Sequence, residues 1–214
     1  MGKATRLTFA VAMAAVSANT MMAQQITAPN AGYLGSTSLM AITAANNANF
    51  TSVTNGPFTA TFSSALNART VPSGGWSSWS ASPFSETATP RVGASVDVSS
   101  LTINLSSATT IFGFEAEPDP FSIHLISAAF FRGASMVGTA SMNVDGNAGA
   151  RLFAWQSAGG IDRVQLTTDA PFGLAQFRVG SAASTTTPEP STYALMLGAL
   201  AGLGVVTRRR RIVA

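Results

Sequence analysis

With 214 residues, no cysteine and a single histidine, the chain has room for one domain with its own core but none for disulfides, thiolate chemistry or a multi-histidine metal centre. The formal charge of +3 and the pI near 10.2 arise at the two ends: between Gln24 and Thr187, six arginines face eight acids, a balance of −2. No basic patch is left there to neutralise phosphates, which argues against nucleic acid as a partner.

In chain order, Lys3 and Arg6 precede the apolar run Leu7–Val16, and small and polar residues follow. A positive start, a short apolar stretch and small residues beyond it are the layout of a secretory signal helix. Residues 1–23 are assigned to it, with cleavage expected after Ala23 and Ala18 as the alternative. The stretch Gln24–Asn55 is rich in Ala, Thr, Asn and Ser, and one strand is predicted within it, near Tyr33–Ile42.

From there to Gly180, period-two alternation recurs and helical periodicity is hard to find. Phe58, Ala60 and Phe62 alternate with threonines, as do Leu101, Ile103 and Leu105 with Thr102 and Asn104, and Val164 and Leu166 with polar neighbours. Each pattern predicts a strand with one buried face. Further strands are predicted at Thr110–Ala116, Phe121–Phe131, Met136–Val144, Arg151–Gln156 and Phe172–Val179. Asp145-Gly146-Asn147, Gly159-Gly160 and Asp169-Ala170-Pro171 supply turn chemistry between them. The segment Ser73–Pro90, SGGWSSWSASPFSETATP, is predicted to be a long surface loop. The expected fold class is all-β: an antiparallel β-sandwich or jelly-roll-like domain over residues 24–180. A flexible linker follows at residues 181–187, and a C-terminal segment at 188–214.

Candidate sites in the domain are few. Trp76 and Trp79 in the Ser/Gly-rich loop offer aromatic faces on which sugar rings stack, or else fold inward as a lid. Glu115 and Glu117 share one strand face and Asp119 follows Pro118, which reads as a solvated acidic edge; the alternative is a calcium site built from these three oxygen donors within five residues. Two neighbouring glutamates on one strand face do not bracket a scissile bond as a glycosidase pair must. His124, in FSIHLIS, reads as a surface or hydrogen-bonded strand histidine rather than a general base. No Gly-x-Ser-x-Gly, phosphate loop or dinucleotide fingerprint is present. The domain is expected to be non-enzymatic and to need no cofactor or metal; the alternative is a carbohydrate-binding module, with calcium assisting.

The C-terminus is the most specific part. Tyr193–Val206 contains no charge and, as a helix, covers about 21 Å of a hydrocarbon core of about 30 Å. Arg208, Arg209, Arg210 and Arg211 hold its far end on the cytoplasmic side. The segment is predicted to be a single, short transmembrane helix with its N-terminal side facing out. Gly198 and Gly202 add a GxxxG spacing that suits helix pairing.

Pro188-Glu189-Pro190-Ser191, the apolar helix and the arginine cluster stand in the order of the PEP-CTERM sorting signal, which this tail resembles over about its last 27 residues. The same segment type is also called the ice-binding protein C-terminal domain, although no Thr-x-Thr ice-binding array is present here. The resemblance implies export by a bacterium that makes exopolysaccharide, and processing by exosortase, a membrane protease-transpeptidase. It assigns Pro188, Glu189 and Pro190 as the recognition motif, Tyr193–Val206 as a transient inner-membrane anchor facing the periplasm, and Arg208–Arg211 as the stop-transfer signal. Two prolines around Glu189 keep that backbone extended and open to a protease. The expected destination is the cell surface or an extracellular polysaccharide matrix.

Overall fold

The computed structural model describes residues 23–95 and 99–181. Residues 1–22 of the signal segment, the linker beyond Ser181, the sorting motif, the predicted span and the four arginines lie outside the described residues. Among the described residues no helix is long and apolar enough to cross a membrane.

The described chain is all-β, and every strand ladder is antiparallel. Its elements are β1 (Gln24–Ile26), the single helical turn-and-a-half α1 (Ala31–Ser36), β2 (Ser38–Met40), β3 (Asn49–Asn55), β4 (Phe58–Thr70) and β5 (Arg91–Ala94). They continue with β6 (Ser100–Pro118), β7 (Ile123–Arg132), β8 (Ser135–Asp145), β9 (Arg151–Thr168) and β10 (Phe172–Val179).

Two predicted pairs of short strands are each one long strand. Leu101–Leu105 and Thr110–Ala116 fuse into β6, and Arg151–Gln156 runs on through Gly159-Gly160 into β9. The glycines make a bend instead of a turn: Gly160 sits at φ +89, and the β6–β9 register shifts twice between Asn104 and Ile111. Such bulges bend a strand without ending it. The bend divides each strand into two halves with different partners within one ten-stranded sheet. Their halves 100–105 and 161–167 lie with β3, β4, β7 and β8. Their halves 111–118 and 151–156 lie with β10, flanked by β1, β2 and β5.

One main core cluster draws on both halves of β6 and β9 and on β4 and β10. Phe62 of β4 meets Phe177 of β10 at 5.3 Å between ring centroids, while Phe114 stacks on Phe153 and leans on Phe177, each at 6.1 Å. All four rings are buried, and full burial of each stabilises by about 1.5–3 kcal/mol.

The predicted strand Tyr33–Ile42 is instead α1 followed by the three-residue β2. Asn30 causes this, since its side chain accepts the Tyr33 N–H at 3.0 Å and caps the turn. The β3–β4 hairpin closes through Gly56-Pro57, with Gly56 at φ +54 as a primed hairpin turn requires. The turns predicted at 145–147 and 169–171 stand as expected, between β8 and β9 and between β9 and β10.

A bulge in β10 decides what faces the outside. Strict alternation from Phe172 and Leu174 would send Gln176 and Arg178 into the core. Gln176 instead adopts φ +49, and the pairing with β6 shifts between Ala175 and Arg178. Phe177 and Val179 therefore turn inward, and Arg178 turns outward.

Both ends of the described chain leave from one corner. Gln24 pairs with Gln156, Gln156 with Ile111, and Gly180 donates its N–H to Ile111 at 2.7 Å. Three strand spacings separate Gln24 from Gly180, about 14 Å.

Candidate functional site

The odd-numbered residues of the second half of β6 face away from the core. Glu115 and Glu117 therefore share that outer face, as their spacing predicts. The expectation that the face meets water does not hold. Residues 73–90 cross it as a cover, and both glutamates are 0% exposed.

The cover is tied down mainly through Glu115. The Trp79 indole N–H donates to its Oε2 at 2.9 Å, the Ser85 hydroxyl donates to the same oxygen, and the Glu86 N–H donates to Oε1 at 2.9 Å. The Glu86 side chain then forms a fork with Arg178, at 2.5 Å from Nε and 2.8 Å from Nη2. Bidentate pairing of this kind fixes orientation as well as charge. On the other side, Arg151 bonds the Ser80 hydroxyl and the carbonyls of Gly149 and Ala150, and its guanidinium lies 4.2 Å over the Phe84 ring.

Glu117 is less well served. Ser78 donates to its Oε1 at 3.3 Å, and Oε2 has no hydrogen-bond partner. Burial pushes its carboxyl up to about 8, against the pull of Ser78, the Ala148 and Gly149 N–H groups and Trp76. Burial also raises Glu115, opposed by donation from Ser85, Trp79 and the Glu86 N–H, with the Glu86 charge adding to the rise. The two acids sit side by side in unlike surroundings. Glu115 accepts three hydrogen bonds from the cover, whereas Glu117 accepts one from Ser78.

Trp76 and Trp79 fold inward. They are 6% and 4% exposed and meet edge to face at 6.3 Å, over a small cluster with Val92, Ala94, Ala150 and Ala175. Gly173 makes room for this, because a Cβ there would come within 2.8 Å of the Trp76 ring. The sugar-stacking faces expected at Trp76 and Trp79 are thus not presented to solvent. The calcium alternative finds no support either. Among the described residues no three acidic or histidine side chains converge to hold a metal ion. Asp119, past Pro118, is exposed and lines a hollow with Arg69 and Trp76 instead.

His124 has partners that its sequence context did not reveal. Its Nε2 lies 2.8 Å from Ser122 Oγ, and its Nδ1 lies 3.0 Å from Asp169 Oδ1. That is the connectivity of a Ser-His-Asp triad, whose orienting carboxylate is buried and whose oxyanion meets preorganised donors. Here the Asp169 side chain is 67% exposed and Ser122 is exposed as well. Water competes for both bonds, and the arrangement pins the start of β7 to the β9–β10 turn. Asp169→Ala is accordingly expected to change unfolding free energy by no more than about 1 kcal/mol, read by urea titration. A larger loss would show that the relay organises the domain.

The described domain is thus that of an all-β protein with a covered outer face. In the tail, residues 186–211 match the model of the PEP-CTERM protein-sorting motif. That motif implies export, membrane-anchored passage to the cell surface and processing by exosortase, a membrane protein. No curated protein matches the chain. Among solved structures, the enzymatically active domain of tailspike protein 4 from bacteriophage CBA120 is similar at 13% identity, over 57% of this chain and 19% of that one, with a TM-score of 0.28. The chain spans about a fifth of that structure, and the likeness carries neither fold nor function across.

Proposed function

We propose that the protein is a non-enzymatic β-sandwich cargo, released from the inner membrane through its sorting tail and displayed at the cell surface or in an extracellular polysaccharide matrix. The observation that carries this reading is the match to the sorting motif at residues 186–211, which begins within a few residues of the last strand. The fold supports it in two ways. Gln24 and Gly180 leave from one corner, so a leader ahead of Gln24 and an anchor after Ser181 serve the same membrane without threading the domain. Glu115, Trp79, Ser85, Glu86 and Arg178 under the cover bond one another and are turned away from solvent, as suits a passive module more than a catalyst.

Signal cleavage after Ala23 would leave β1 intact. Exosortase would act at Pro188-Glu189-Pro190 while Tyr193–Val206 holds the chain in the membrane and Arg208–Arg211 remain in the cytoplasm. The test is intact-mass spectrometry of the protein from membrane and extracellular fractions of its native host. The expected result is an extracellular form that starts near Gln24 and ends near Pro188–Pro190, and that is lost when Glu189 is replaced by alanine. A membrane-bound form that keeps Arg208–Arg211 in both proteins would overturn the processing step. Release of the extracellular form by polysaccharide-degrading enzymes tests the matrix assignment.

A further inference from the structure

We propose that the side of β7 and β9 turned away from the core binds a neutral polysaccharide chain, centred on a hollow between Leu125 and Thr167. The inference deepens the matrix assignment above and rests on it. Alternation sends Ile126, Ala128 and Phe130 into the core and leaves Ile123 and Leu125 on the opposite side of β7, 68% and 52% exposed. Phe121, two residues before the strand, is 66% exposed. Leu125 lines a hollow of about 290 Å³ together with Ser127, Thr167, Thr168 and Asp169. Large apolar side chains left exposed beside a hollow mark a contact surface.

The strand register shows what surrounds that hollow. Ser127 stands between Ser141 of β8 and Thr167 of β9, and Thr167 stands beside Ser100 of β6. These hydroxyls form one row across neighbouring strands, about 14 Å from end to end. Ser141 Oγ lies 2.5 Å from Ser127 Oγ within it. The next row holds Thr139, Ala129, Gln165 and Thr102. Neither row contains a charged residue. Asp169 stands at the rim of the hollow, its Oδ1 3.0 Å from His124 Nδ1 and its side chain 67% exposed.

The chemistry of this face selects its ligand. Side-chain hydroxyls and amides donate and accept without net charge, as sugar hydroxyls do, and a carboxylate accepts strongly from such hydroxyls. Apolar side chains beside them cover the C–H faces of sugar rings. An acidic polymer or an anionic bilayer is disfavoured, because Asp145 stands opposite Ile123 and Asp169 stands at the hollow. The arginines at the far end of β7 and β9 are already engaged. Arg163 lies 4.3 Å over the Phe131 ring, and Arg132 pairs with Asp162 at 2.8 Å.

The test is native affinity electrophoresis of the full-length protein in mild detergent. The gels contain dextran, hydroxyethylcellulose, galactomannan or polysaccharide from the native host, with alginate as the anionic counterpart. Retardation by at least one neutral polymer, and none by alginate, is expected. Leu125→Ser is expected to weaken it about tenfold. Thr167→Val, which keeps the shape and removes the hydroxyl, is expected to weaken it about threefold. Leu39→Ser on β2 leaves it unchanged. All three positions are exposed, so the variants keep the fold, with far-ultraviolet circular dichroism as the check. No retardation by any neutral polymer, equal retardation of Leu125→Ser, or stronger retardation by alginate would overturn the proposal. A concentration-dependent mobility in polymer-free gels that Leu125→Ser abolishes would overturn it too, and would give the face to a second copy of the chain. The assay uses the unprocessed chain, so failure of exosortase cleavage does not alter its outcome, and a negative result leaves the sorting reading standing.

Discussion

Replacing Phe114 with alanine is expected to lower the melting temperature by roughly 10 °C. Phe114 is fully buried, stacks on Phe153 with an interplanar angle of 12°, and touches both Phe112 and Phe177. It lies on the half of β6 that pairs with β9 on one side and β10 on the other. Backbone held on both sides cannot close around the void, so the full transfer and cavity cost applies, about 3–5 kcal/mol. At about 2–4 °C per kcal/mol for a domain of this size, the shift is readable by calorimetry. Phe121→Ala is the control, because Phe121 is 66% exposed. Its effect is expected within about 0.5 kcal/mol. Equal shifts for the two variants would show that the core is not where the rings place it.

The parts of this fold that the sequence announces are those where one face meets the core and the other meets water. Strands β7 and β8 alternate cleanly because Ile126, Ala128 and Phe130 face inward while their neighbours face out. Strand β3 was missed because it brings only Phe50 and Val53, and a register shift after Phe50 breaks their spacing. Gly159-Gly160 resembles a turn in sequence, since a pair of glycines permits either a reversal or a bend. Only the partner strand β6, bending at the same place, selects the bend.

The candidate site was half legible. The spacing of Glu115 and Glu117 gave their common face correctly. Their burial depends on a loop some thirty residues earlier in the chain, whose Ser85 and Trp79 carry no local sign of where they dock. Arg178 was hidden for a different reason. Its outward aim exists only because Gln176 takes a left-handed conformation that alternation cannot foresee. The sorting motif at residues 186–211 was legible, because its recognition rests on local residue order and needs no tertiary contact.

That outward aim makes Arg178 the other position where a single change should be costly. Its side chain and that of Glu86 are only 14% and 10% exposed, and the fork between them closes the cover over α1 and β10. Removing one partner strands the other as a buried, unpaired charge. Arg178→Leu and Glu86→Leu are each expected to destabilise by about 3–5 kcal/mol, read by urea denaturation. Arg178→Leu is the worse of the two, because Glu86 would then stand uncompensated beside Glu115. The double variant is expected to recover much of the loss, since an apolar pair of similar volume is often no worse than the ion pair it replaces. Independent sites would instead add their losses to within about 0.5 kcal/mol. Additivity would mean that the fork holds nothing together, and that the cover rests on Glu115 and the tryptophans alone.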